Sequence, residues 1–113
     1  MEPMPDTHAI LSKNIRLNRS DVKALREATY DGSSPTVRLL RFSYHSGGDF
    51  TSPEGTIETP TCTLDDVWRE HDPFDLIKVD VKGAEVKVLE GLSQISKYLV
   101  IEVRPRTWPY IKR

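Results

Sequence analysis

From Asp75 onward the chain spells a strand, a helix and a strand, and that order limits its fold more than any other feature. Asp75–Val81 carries Leu76, Ile77, Val79 and Val81, the near-continuous apolar run of a strand covered on both faces. Gly83 to about Ser96 follows, with Val86, Leu89, Leu92 and Ile95 three residues apart and Val88 beside them, which predicts a helix with one broad apolar face. Tyr98–Val103 is a second apolar strand, closed by Pro105. Two strands joined through a helix belong side by side and parallel, with a right-handed crossover, so the class is α/β.

The residues before Asp75 give weaker signals. Ala9, Ile10, Leu11, Ile15 and Leu17 predict a helix from about Pro5 to Asn18, with Pro5 in the first turn, where its missing N–H costs nothing. Val22–Glu27 is expected as a short strand before the turn Asp31-Gly32-Ser33-Ser34-Pro35, and Thr36–Phe42 as another. Ser43–Gly55 reads as a loop. Thr56–Cys62 is β-branched, and Pro60 places it at a sheet edge. Thr63-Leu64-Asp65-Asp66 is a helix start, with a hydroxyl able to accept from the N–H three residues on and two carboxylates at the positive end of the dipole; the helix should end near Pro73.

Composition enters as a set of exclusions. Sixteen basic against 17 acidic residues give a net charge of −1, so no overall field draws nucleic acid or an anionic membrane. Cys62 is the only cysteine, which rules out an internal disulfide and a cysteine-rich metal site. His8, His45 and His71 share no ligand spacing with each other or with Cys62, so no metal is expected. No apolar run reaches the ~20 residues of a membrane span, and no signal peptide is visible, so a cytoplasmic setting is the default expectation. Ser46-Gly47-Gly48-Asp49 is read as a loop tip and not a phosphate cradle. The basic and aromatic residues of 104–113 are read as a surface tail following a domain over 1–103.

The chemistry concentrates at Lys78-Val79-Asp80-Val81-Lys82-Gly83-Ala84-Glu85. An apolar strand delivers Asp80 at its C-terminal end, a glycine permits a tight turn, and a helix begins. Ligands of open α/β sheets bind at the C-terminal ends of strands, although an aspartate there also serves as a simple helix cap.

Four motifs in register then carry a resemblance: Thr63-Leu64-Asp65-Asp66, Asp75 through Glu85, Val88-Leu89-Glu90-Gly91, and Val100-Ile101-Glu102-Val103. Together they resemble the second half of an FkbM-type methyltransferase domain. The resemblance implies a truncated Rossmann-like, doubly wound sheet of the class I methyltransferase type. It implies S-adenosyl-L-methionine as cofactor and methyl transfer to an oxygen of a small-molecule or glycan acceptor. Asp80, Glu85 and Glu102 become the catalytic candidates. Glu2 of Glu2-Pro3-Met4-Pro5 is similar to the acid that holds the cofactor ribose, a residue type able to accept from both hydroxyls. A residue so near a chain end is equally open to fraying. Glu27 through Asp31 would fall near the adenine, which makes Asp31, with Glu2 and Asp80, a cofactor-binding candidate.

Two departures temper the resemblance. Lys82 stands where the family pattern has Glu; a lysine at a helix start opposes the dipole, and a pairing with Glu85 is expected to offset it. No glycine-rich loop precedes Glu2, so an incomplete domain is expected, one in which the strand at Asp75–Val81 lacks a neighbour and the cofactor is held weakly. A non-catalytic remnant or small interaction module is the alternative reading.

Overall fold

The computed structural model describes residues 1–41, 50–71, 73–94, 96–103, 105 and 108–111. The expected strand end at Phe42, His45, the Ser46–Asp49 turn and Ile95 lie outside them.

Helix α1 (Pro5–Leu17) starts on Pro5, with Met4 as its N-cap and Asn18 as its C-cap. Its expected apolar stripe is not core: no residue of α1 is buried, and Ile10 and Leu17 are largely exposed. The buried residue here is Met4, just ahead of the helix. The strand expected at Val22–Glu27 does not form, because its backbone is engaged from elsewhere: the Glu2 N–H donates to Leu25 O (2.9 Å), and His8 Nε2 lies 3.3 Å from Ala24 O. Only the next two residues, β1 (Ala28–Thr29), pair as a strand.

The larger sheet has the order β1, β4, β2, β3, with β2 at Thr36–Leu40, β3 at Phe50–Thr51 and β4 at Ile57–Cys62. β1 runs parallel to β4, whereas β2 is antiparallel to both β4 and β3. β4 is therefore interior, and its expected edge position is overturned. Pro60 is tolerated because the neighbouring Thr61 N–H makes the bond to Pro35 O (3.0 Å). By strand alternation the Pro60 nitrogen faces the other side, where β1 begins only opposite Thr61. β3 falls in the segment expected to be loop; two residues are too few to show alternation.

Helix α2 (Leu64–Glu70) begins in a full capping box: Thr63 Oγ1 accepts from Asp66 N (3.0 Å), and Asp66 Oδ2 accepts from Thr63 N (2.8 Å). The smaller sheet pairs β5 (Leu76–Val79) with β6 (Tyr98–Ile101) in parallel, through α3 (Glu85–Glu90), as the sequence predicts. Helix α3 is far shorter than expected. Asp65, in the first turn of α2, accepts from the Ser93 N–H (2.9 Å) and hydroxyl (2.6 Å), which takes Ser93 out of any helical ladder. Gly91 O in turn accepts from Asp65 N (3.1 Å), and a Cβ at Gly91 would run into Tyr30 O.

Ile77 and Val79 pack with Val88, flanked by Leu64, Trp68, Phe74, Leu92 and Ile101; Trp68 and Phe74 meet edge to face at 5.5 Å. The other face of this sheet, carrying Leu76, Lys78, Tyr98 and Val100, is exposed, so β5 is covered on one side and not on both. A short helix, α4 (Trp108–Ile111), lies in the C-terminal segment. The architecture is α/β, but no described strand joins β5 to the larger sheet, so the strands form two sheets and not one.

Candidate functional site

The N-terminal segment, β1 and the turn after β5 line a cavity of about 200 Å³. Its wall includes Glu2, Met4, Glu27, Ala28, Asp80 and Lys82, with Leu39 and Thr51 brought from β2 and β3. Glu2 and Asp80, 78 positions apart in sequence, therefore line one cavity.

Glu2 is not frayed. Its N–H is held by Leu25 O, and its Oε1 accepts from Met4 N (2.9 Å), a cap on the entry to α1. A carboxylate has acceptor sites to spare beyond one such bond. Asp80 follows β5 directly. Its Oδ1 lies 3.0 Å from Lys82 Nζ and its Oδ2 3.6 Å from Lys78 Nζ. The Lys82 ammonium is the main reason its carboxyl sits below the usual aspartate range, with Glu102 and Lys78 contributing. The same contact raises the Lys82 ammonium above its ordinary value.

The pairing expected between Lys82 and Glu85 is not made. Glu85 is buried, its Oε1 accepting from Gly83 N (2.8 Å), while its Oε2 has no partner among the described residues. Lys82 turns instead to Asp80 and to Glu102, whose Oε1 is 3.6 Å away. Nor is Lys82 at a helix start: it and Gly83 have φ of 55° and 108°, a left-handed turn completed before α3 begins.

The remaining candidates lie outside the cavity wall. Asp31 accepts from Lys87 Nζ (2.8 Å) and Ser33 N (2.9 Å), and these bonds hold its carboxyl well below the ordinary range. Glu85 caps the turn before its own helix, and Glu102 reaches the site only through Lys82. Conversely, the wall uses Thr7, Leu39 and Thr51, none of which any local pattern singles out, because the pairing of β2 with β3 delivers two of them. Burial and the nearby Glu27 push the Cys62 thiol up to about 12, so it is protonated and unreactive at neutral pH. No group of three His, Cys, Asp or Glu side chains able to hold a metal occurs among the described residues. No helix among them is long and apolar enough to cross a membrane.

Among the described residues the cavity side chains carry three carboxylates (Glu2, Glu27, Asp80) against one ammonium (Lys82), an environment suited to hydroxyl donors. The family described as the methyltransferase FkbM domain matches residues 1–112. Methyltransferase sdnD of Sordaria araneosa is 30% identical over 144 residues, covering 95% of this chain. The chain spans 55% of that relative's length. No solved structure matches significantly. With the match running from the Glu2 segment through both parallel strands, the chain belongs to the FkbM methyltransferase domain family.

Proposed function

We propose that this chain carries the ribose- and acceptor-side half of an S-adenosylmethionine-dependent methyltransferase acting on an oxygen of a small-molecule or glycan acceptor. In this reading the two sheets are sections of one Rossmann-like, doubly wound sheet, with the cavity between them. The observation that carries it is the meeting of Glu2 and Asp80 in one acidic cavity within a chain of this family. Family membership favours an enzyme over an interaction module.

The residues fit part of the cofactor. A cavity of about 200 Å³ is smaller than the ~300–1,000 Å³ of sites that enclose drug-sized ligands. It suits a nucleoside and not the whole molecule. Glu2 would accept from the ribose hydroxyls, with Ala28 and Thr29 against the base. When bound, S-adenosylmethionine supplies a methyl group activated by its positively charged sulfur. Asp80 would orient the acceptor hydroxyl by accepting its hydrogen bond. Held below the usual aspartate range, Asp80 is a weak base near neutrality, so its contribution is orientation more than early proton removal.

The test is an amide NMR titration of the labelled chain with S-adenosylhomocysteine. Shifts should gather on Glu2, Ala28, Thr29, Val81 and Lys82, with a dissociation constant of about 1 mM, equivalent to ~4 kcal/mol. Glu2→Gln should weaken binding, and Asp80→Asn should leave the ribose contacts intact. Shifts scattered away from the cavity, or none at several millimolar ligand, would overturn the reading.

A further inference from the structure

Among the described residues Lys82 is the one side-chain cation of the cavity wall, and its position is an unusual one. A lysine in the left-handed region is uncommon, and such strain persists where surrounding contacts fix it. The contacts are here: Nζ is 3.0 Å from Asp80 Oδ1 and 3.6 Å from Glu102 Oε1. Asp80 and Glu102 are the residues that directly follow β5 and β6. Val79 pairs with Ile101, and Glu102 N donates to Val79 O (2.9 Å), so the two carboxylates leave the sheet on adjacent strands. Neighbouring strands run about 4.8 Å apart. Carboxyl groups brought to one site oppose each other's ionisation, and a cation between them offsets that opposition.

We propose that Lys82 is a positioning residue that keeps Asp80 and Glu102 ionised together, so that Asp80 meets its ligand as a fixed acceptor and not as half of a proton-sharing pair. The role given to Asp80 rests on the function proposed above; the bridge itself does not.

The charges around Asp80 leave Lys82 as the group able to do this. From β5, Lys78 faces Oδ2 at 3.6 Å, but its side chain is 63% exposed and its field is screened by water and salt. From the end of β6 comes Glu102, and around the cavity stand Glu2 and Glu27, all negative. Lys82, 28% exposed and in contact with both carboxylates, is the better-shielded cation of the two. The lowered Asp80 carboxyl, with Lys82 as its leading cause, is consistent with this.

The experiment is a carboxyl-carbon NMR titration of the full chain, which needs no ligand. In the native protein Asp80 should titrate in one step below the ordinary aspartate range. In Lys82→Met its curve should become biphasic, with the upper step at least one pH unit higher. Lys82→Arg should restore the native curve, and Lys82→Met with Glu102→Gln should remove the upper step. A Lys82→Met curve that stays single and unmoved overturns the proposal. Should Lys82→Met not fold, Lys82→Gln takes its place, with the same result expected and the same result overturning the proposal. Failure of S-adenosylhomocysteine to bind would count against the proposed function alone, and an unmoved Asp80 titration against Lys82 alone.

Discussion

The two sheets solve opposite problems. In the larger one the strands are polar and mixed, yet β4 has neighbours on both sides, and Thr59 is buried with its hydroxyl donating to Pro3 O (3.3 Å). In the smaller one the strands are almost wholly apolar, yet Leu76, Tyr98 and Val100 face outward. Apolar content thus tracks burial poorly in this chain. The β5–β6 segment is patterned for a sheet covered on both faces, and α2 and α3 cover one. Burial in the larger sheet comes instead from backbone pairing and from the N-terminal segment laid across it.

Four measurements would break or sharpen this contrast. The largest effect is expected at Ile77, 8% exposed and packed against Val88: Ile77→Ala should cost about 2–5 kcal/mol in urea unfolding. Its neighbour Leu76 is the control on the same strand, and Leu76→Ala should stay within about 0.5 kcal/mol. Equal losses at the two positions would mean that the outer face is covered in solution, and the contrast would fail.

The next effect lies at the junction between the regions. Gly91 follows α3 but packs on Tyr30, just past β1, with no room for a Cβ. Gly91→Ala should cost about 1–3 kcal/mol, the range of forced overpacking, against about 1 kcal/mol for loss of the Thr63 cap in Thr63→Ala. If Gly91→Ala is neutral by thermal unfolding, the two regions are less tightly joined than the structure indicates.

A smaller effect should appear with pH. Asp31, Asp65, Asp66 and Asp80 all have carboxyls lowered from the ordinary 3.8, through Lys87, Ser93, Thr63 and Lys82 respectively. A lowered carboxyl adds stability above its unfolded value and loses it as the pH falls through the folded one. Asp31 to Lys87 and Asp65 to Ser93 tie distant segments together, so acid should loosen those ties. Circular dichroism should show stability flat from neutrality to about pH 5 and falling below about pH 4. The raised Lys87 acts at the other end: its contribution is complete below 10.5 and is lost only above that. A native state that resists pH 2 unchanged would contradict the assignment of these ties.

The smallest expected effect is at Ile10, an exposed residue of α1: Ile10→Ser should change stability by less than about 0.5 kcal/mol. A loss of 2 kcal/mol or more would show that the apolar stripe of α1 is a packed face after all.

What was legible in the sequence follows physical lines. The Thr63 cap and the parallel β5–β6 pair rest on local hydrogen-bond chemistry or on several motifs in register, and the structure agrees with them. The length of α3 was not legible, because Leu92 continues the helical spacing while Asp65, from another helix, takes the Ser93 N–H. The strand expected at Val22–Glu27 failed for the same kind of reason, since Glu2 and His8 reach its carbonyls. Pro60 misled because a proline excludes a ladder bond on one side only. Asp31 sits in the stretch the resemblance placed near the cofactor, but its carboxylate is committed to Lys87, 56 residues away. Periodicity reads a segment's own preferences; it does not read what a distant side chain will take from it.

Lys78 gives the exposed sheet face a consequence for behaviour in concentrated solution. On that face it stands beside Val100, one rung along from the Leu76–Tyr98 pair, and is itself 63% exposed. A charge beside these apolar side chains makes stacking of one molecule's sheet on another's carry the cost of dehydrating an ammonium ion. That is the role of a gatekeeper in strands prone to self-association. Shared with Asp80 at only 3.6 Å, the charge stays available to water. The colloidal stability of the chain should therefore fall when this charge is removed, and Lys78→Leu should clump at protein concentrations where the native chain stays dispersed.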